Sequence, residues 1–223
     1  SNTKAKHSPD WSHSILLEAI WWFIPCVIIL ILAIMTWVYT HRLDPYKPLN
    51  MKGKTITVDA IALDWRWLFV YPDQHVASMS FMQIPVDRQI KLIITSDAPM
   101  NSLEIPQLAG QIYAMAGMKT KLHFNALEAG DYQGLSTNYS GDGFFGMKFI
   151  VRAGTEKQFQ AWVKKAQRSP HQLSMAAYNK LALPSKDTKV VLFSSPEKDL
   201  LNKVVMKYMA PAKSDKRVSQ HSK

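Results

Sequence analysis

Residues 54–71 read KTITVDAIALDWRWLFVY, and the way apolar and polar residues follow one another there decides the fold class. Lys54–Leu63 nearly alternates apolar and polar side chains, the period of a half-buried strand. The next run, from Trp65, puts Trp65, Trp67 and Phe69 on one face of a strand and Arg66 and Leu68 on the other. One face of aromatics at that period is a core face, with a single exposed aromatic left as a docking point.

Outward from there the same texture recurs. HVASMSFMQI from His75, QIKLIITS from Gln89, QIYAMA from Gln111, KTKLHFNAL from Lys119, a stretch through Tyr132 and MKFIVRA from Met147 are short runs of this kind. Tyr71-Pro72-Asp73, Ile84-Pro85-Val86-Asp87, Asp97-Ala98-Pro99 and glycine-bearing turns separate them. Seven or more short strands within about 100 residues predict a β-sandwich or a small Greek-key barrel.

Upstream, Ala19–Tyr39 reads AIWWFIPCVIILILAIMTWVY, 21 residues without a charge. At 1.5 Å per residue such a helix spans roughly 30 Å, the thickness of a bilayer core. Trp21 and Trp22 near one end and Trp37 and Tyr39 near the other stand where aromatic belts form. Pro25 falls within the first two turns, where a helix tolerates it. A buried core helix and a signal peptide are the competing readings, but few soluble helices are apolar all round and no small-residue cleavage pattern follows. Lys4 and Lys6 before the run balance Arg42 and Lys47 after it, so charge does not orient the span. Leu43–Gly53, with two prolines and a glycine, reads as a linker.

Downstream of Gly154 the period changes to that of helices. Glu156–Arg168 carries Phe159, Trp162, Val163 and Ala166 at helical spacing, with Thr155 placed as N-cap. LSMAAYNKLAL and PEKDLLNKVVMKYMA read alike, and the run from Pro211 to Lys223 has the composition of a disordered basic tail. The expected organisation is a loop and membrane helix in 1–45 (span about 19–39), a β domain in 46–153, a helical extension in 154–210 and the tail in 211–223. No internal repeat is present.

The 223 residues are 47% hydrophobic, which excludes a disordered chain, and 27 Lys and Arg against 17 Asp and Glu give a formal charge of +10. Nearly all of that excess lies in 154–223, with fourteen basic and five acidic residues, whereas 46–153 holds ten and nine and 1–45 three and three. Without a motif beside the basic tail, nucleic-acid binding is not indicated. The one cysteine, Cys26, excludes an internal disulfide and any multi-cysteine metal site, and inside an apolar helix it reads as a packing residue.

Several residues could carry chemistry. Glu18, the acid beside the apolar run, is either an interfacial residue reaching for water or part of a proton or ion path. The seven histidines contain no pair at ligand spacing. Met79, Met82, Met115 and Met118 admit a membrane-tethered copper-binding module, against core filling as the plainer role. Gly130–Gly146 holds five of the nine glycines and has the form of a ligand loop, but Ser136, Asn138, Ser140 and Phe144 offer hydroxyls, an amide and a phenyl ring where a soft copper ion needs thiolates and imidazoles, and Met147 alone is a weak ligand.

That loop resembles one in subunit II of haem-copper cytochrome c oxidases, in which a membrane-anchored cupredoxin domain holds two copper ions through a C-x-E-x-C-x-x-x-H-x-x-M loop and an upstream histidine. Here the loop reads Ser136-Thr137-Asn138-Tyr139-Ser140-Gly141-Asp142-Gly143-Phe144-Phe145-Gly146-Met147, and Asn101 stands at the upstream histidine. Of the ligand set only Met147 remains. A chain that lost this centre is similar to subunit II of bacterial cytochrome bo-type ubiquinol oxidases. SPDWSHS from Ser8, E-x-x-W-x-x-x-P from Glu18 to Pro25, TWVYTHRLDPYKPL, LDWRWLFVYP, the MNS at Met100, QIYAMAGMKTKLH and NYSGDGFFGMKF carry that resemblance.

The resemblance implies a copper-less cupredoxin-like Greek-key barrel in the periplasm, anchored in the bacterial inner membrane, with an earlier membrane helix, a signal peptide and a lipid anchor ahead of Ser1. It implies a noncatalytic subunit of a proton-pumping ubiquinol oxidase, with haems and copper in subunit I, subunits III and IV as further partners, and no cytochrome c. Menaquinol is the alternative donor. Glu18 becomes a candidate for the entrance of a proton channel. Trp65 and Trp67 occupy the places where relatives with copper take up electrons, a path that here has no terminus.

Overall fold

The computed structural model describes residues 13–49, 51, 53–186 and 189–209. The tail from Pro211 and the residues before His13 lie outside this set. The chain divides into two units, one running to Asp44 and one from Pro45 onward.

The first unit is helix α1, Ile15–Arg42, a few residues longer at each end than the uncharged run. Its mean hydropathy is 2.6 over the most apolar window, and none of its side chains is buried. A helix apolar all round with none of its side chains buried is stable in lipid and not in water, so α1 is the membrane anchor of the chain.

The second unit is built on two facing sheets. One contains β1 (Ile56–Leu63), β2 (Arg66–Tyr71), β3 (Val76–Met79), β5 (Ile90–Ser96), β8 (Thr120–Phe124) and β11 (Val191–Ser194), in the order β11-β3-β2-β1-β5-β8. The other contains β4 (Phe81–Pro85), β6 (Asn101–Ile105), β7 (Ala109–Ala114), β9 (Gly130–Ser136) and β10 (Lys148–Gly154), in the order β4-β10-β9-β6-β7. All pairs are antiparallel except β1 with β5 and β10 with β4. HVASMSFMQI divides into β3 and β4 at Ser80, whose φ of 54° turns the chain from one sheet to the other.

The inner faces meet over Val58, Ala60, Trp67, Phe69, Leu92, Leu103, Phe149 and Val151. Gly134 is required there, because a Cβ on it would stand 2.1 Å from the Phe149 ring that covers it across the β9–β10 pair. The first sheet is also buried on its outer face, where Ile61, Leu63, Leu68, Val70, Ala77 and Met79 form a second core. This explains why the end of β1 and nearly all of β2 are unbroken apolar runs, as in a strand covered on both sides.

The segment after Gly154 provides that second cover. Helix α2 (Glu156–Gln167) starts in a capping box between Thr155 and Gln158 and buries Phe159, Val163 and Ala166 against the inner core. Helices α3 (Met175–Leu181) and α4 (Leu200–Met209) lay Tyr178, Leu200, Leu201 and Val204 on the outer core. The segment is not wholly helical. Val191–Ser194 joins the first sheet as β11, antiparallel to β3.

Candidate functional site

The loop between β9 and β10 and the start of β6 bring the resemblance's ligand positions to one end of the sandwich, where the side chains of Asn101, Ser136 and Asn138 bond to the protein itself. Asn101, 1% exposed, donates from Nδ2 to the Pro99 carbonyl at 2.8 Å, and its Oδ1 accepts from Ser136 Oγ at 2.9 Å. Ser136 Oγ also reaches the Ser102 carbonyl at 3.2 Å. Ser102 Oγ bonds Thr137 Oγ1 and accepts from Gln111 Nε2. Asn138 Nδ2 donates to the Met100 carbonyl at 2.8 Å.

The remaining positions are not assembled into this net. Ser140 Oγ is buried without a hydrogen-bond partner among the described residues, and its carbonyl accepts from Trp65 Nε1 at 3.0 Å. Phe144 stacks edge-on between Tyr139 and Phe145, each at 5.6 Å. Met147 is a core side chain, 1% exposed. Hydroxyls and amides that satisfy one another are a closed polar cluster, and this donor set does not fit a soft copper ion. Among the described residues no three His, Cys, Asp or Glu side chains group as a metal site.

Trp65 differs from its sequence reading. It lies in the two-residue turn before β2, at φ 67°, and is half-buried, so the inner aromatic face of β2 is Trp67, Phe69 and Tyr71. A non-glycine residue at positive φ needs compensation. Trp65 finds it by lying flat on Gly143, where any Cβ would sit 2.2 Å from the indole. Residues of the C-terminal segment close over the same turn. Arg66 Nη2 donates to the Leu181 carbonyl at 2.6 Å, Ser185 N donates to the Asp64 carbonyl, and Lys186 Nζ stands 5.8 Å from the Trp65 ring. Trp67 is fully buried between Phe69 and Phe149.

Glu18 sits in the first turn of α1, exposed, where a carboxylate suits the positive end of the helix dipole. The methionines do not converge. Met79 and Met82 are buried on opposite sides of the first sheet, Met115 is half-buried and Met118 is exposed.

Sequence reading missed Asp97, which appears there only as a turn residue. Its side chain is fully buried and receives Tyr178 OH at 2.7 Å, Lys207 Nζ at 2.7 Å and Tyr208 OH at 2.6 Å. Burial, with the Asp97 hydrogen bonds next, pushes both phenols well above the usual tyrosine range. One carboxylate at the end of β5 thus pins α3 and α4. The only advance signal is an unusual density of tyrosine and lysine in those helices.

The segment that holds these helices has a counterpart in other proteins. Residues 167–212 match the family described as the COX Aromatic Rich Motif. The cytochrome bo(3) ubiquinol oxidase subunit 2 of Pseudomonas aeruginosa is 48% identical over 208 residues, 93% of this chain and 63% of that protein. The ubiquinol oxidase subunit 2 of Acetobacter aceti is 48% identical over 210 residues, 93% of this chain and 68% of that protein. The chain belongs to the ubiquinol oxidase subunit 2 family. It spans 63% and 66% of the length of its two Pseudomonas relatives. Among solved structures, the periplasmic domain of subunit II of the Bradyrhizobium japonicum cytochrome oxidase is 23% identical, covers 52% of this chain and 96% of its own, and superposes with a TM-score of 0.49.

Proposed function

We propose that this chain is the copper-free subunit II of a proton-pumping terminal ubiquinol oxidase, a structural scaffold and not a redox carrier. The observation that carries the reading is the closed set of hydrogen bonds joining Asn101, Ser136, Ser102 and Thr137 where a relative with copper would hold its ligands. A lipid-soluble quinol delivers electrons from within the membrane, so a periplasmic relay is not needed. Haems and the remaining copper then belong to subunit I, with subunits III and IV completing a complex in the bacterial inner membrane and the β domain in the periplasm. Ubiquinol is favoured over menaquinol because the relatives named for ubiquinol are 43–48% identical to this chain.

Two features give the scaffold its contacts. Beside the closed net, Tyr139 and Phe145 are 68% and 81% exposed, with Met100 close to half exposed, an apolar loop end that fits a partner subunit. To Glu18, an acid at the end of a membrane helix, we assign the admission of protons to a channel whose other groups lie in subunit I.

The test is to purify the tagged full-length protein from membranes. Haem-containing partners and ubiquinol-driven oxygen uptake that needs no cytochrome c are the expected result. Recovery of the chain free of haem proteins, or with stoichiometric copper of its own, overturns the reading.

A further inference from the structure

Away from that loop, the C-terminal end of α2 and the edge strand β11 enclose a groove of about 740 Å³. Its floor is apolar, with Pro170, Val190 and Leu192, and its rim carries Lys164, Lys165 and Arg168. Val190 is 54% exposed. The three cations are exposed, and none has an acidic partner within 4 Å among the described residues. Three of the chain's acids are held by other cations, Glu197 by Lys203, Asp131 by Arg152 and Asp97 by Lys207.

The backbone adds a directional element. β11 is the last strand of its sheet, and residues 169–173 cover part of its outer edge through Ser169 Oγ on the Leu192 carbonyl and Ser194 N on the His171 carbonyl. In a strand the N–H and C=O of one residue point the same way. The Leu192 N–H therefore points outward with its carbonyl, into the groove, and has no acceptor among the described residues. A donor at a sheet edge is met by the carbonyl of an added strand.

We propose that this groove binds an extended acidic segment of a partner protein, laid along β11 with alternate apolar side chains on Val190 and Leu192 and alternate carboxylates against Lys164, Lys165 and Arg168. The period of two in a strand suits an apolar floor beside a cationic rim. A bilayer surface matches the charge but offers neither insertion into a concave floor nor a backbone carbonyl for Leu192. The inference is independent of the reading of the chain as an oxidase subunit, because it concerns a different surface and a partner defined by chemistry alone.

The probe is a fluorescein-labelled eight-residue peptide alternating glutamate and valine, titrated into the full chain in detergent at low and moderate salt. Saturable one-to-one binding is expected, weakening with salt and falling at least tenfold in the Lys164→Glu, Arg168→Glu double variant. Both positions are exposed, so the variant should keep the parent's unfolding temperature, and that is measured alongside. A glutamine–valine peptide should bind at least tenfold more weakly. No saturable binding, equal binding of the two peptides, or equal binding by the double variant overturns the proposal. Phosphatidylglycerol vesicles that bind the parent and not the variant, with no peptide binding, assign the surface to lipid instead.

Discussion

Asp97 concentrates more structural consequence than any other single side chain here. Its three donors come from both helices, Tyr178 on α3 and Lys207 and Tyr208 on α4. Asp97→Ala should cost roughly 2–4 kcal/mol, since two phenols and an ammonium lose one acceptor, while Tyr178→Phe should cost about 1–2 kcal/mol. Denaturant unfolding checks both, and equal stability of Asp97→Ala and parent would mean that the helices are held by packing alone. At the two tryptophans burial sets the order. Trp67→Ala, fully buried, should lose about 3–5 kcal/mol, and half-buried Trp65→Ala clearly less. Ubiquinol oxidation per assembled complex should be unchanged in Trp65→Ala, and a specific electron-transfer defect there would contradict the scaffold role. Glu18→Gln should slow oxygen uptake and proton release together in the assembled enzyme if that carboxylate admits protons. Unchanged turnover and pumping would leave it as an interfacial helix-end residue.

At the scale of elements, the contact of α4 with the first sheet is tied to pH through Asp59 on β1. Burial raises this carboxyl from 3.8 to about 7, with Asp199 raising it further and Lys119 and Lys91 opposing. The folded protein therefore holds a proton that the unfolded chain has released above pH 4. The stability from that proton is fully present below about pH 4 and is lost as pH rises through about 7. Asp59→Asn should flatten this part of the profile, read as unfolding midpoint between pH 4 and 8. An identical slope in parent and variant would assign the dependence to other groups. Most elements were legible in the sequence. The period of two marked β1, β2, β5 and β7–β10, with β3 and β4 read as one run and β6 not marked as a strand, while uncharged length marked α1 and Thr155 with its apolar stripe marked α2. What stayed hidden was long-range. VVLFSS is too short and too apolar to distinguish from helix until β3 lies beside it, and Trp65 looked like the first residue of a strand because the turn's positive φ is not written in an alternation of aromatics. At the ligand loop the residue types could be read as unfit for copper, but the bonds that replace the metal required knowing that β6 and β9 are neighbours.

For the whole molecule, the C-terminal segment is a structural layer and not an appendage. Without residues 173–209 the first sheet would expose Ile61, Leu63, Leu68, Val70, Ala77 and Met79, all at most 5% exposed when the segment is in place. Returning large apolar side chains to water costs roughly 1.5–3 kcal/mol each. Four such residues, with Ala77 and Met79 adding to them, match or exceed the whole stability of an ordinary domain, about 5–15 kcal/mol. The strands themselves carry the same message, because the end of β1 and nearly all of β2 are apolar on both faces and could not be soluble as one side of a two-layer sandwich. A chain ending at Arg168 should therefore not yield a stable β domain. The expected outcome is aggregation on expression, or loss of the cooperative unfolding transition in any soluble fraction. Supplying residues 169–223 as a separate polypeptide should restore part of that transition, since α3 and α4 dock through side chains and β11 through its ladder with β3, none of which needs a covalent link to α2. A truncated chain that stays monomeric with the parent's unfolding temperature would show that the inner core alone suffices, and the outer layer would then have to be explained by what it binds.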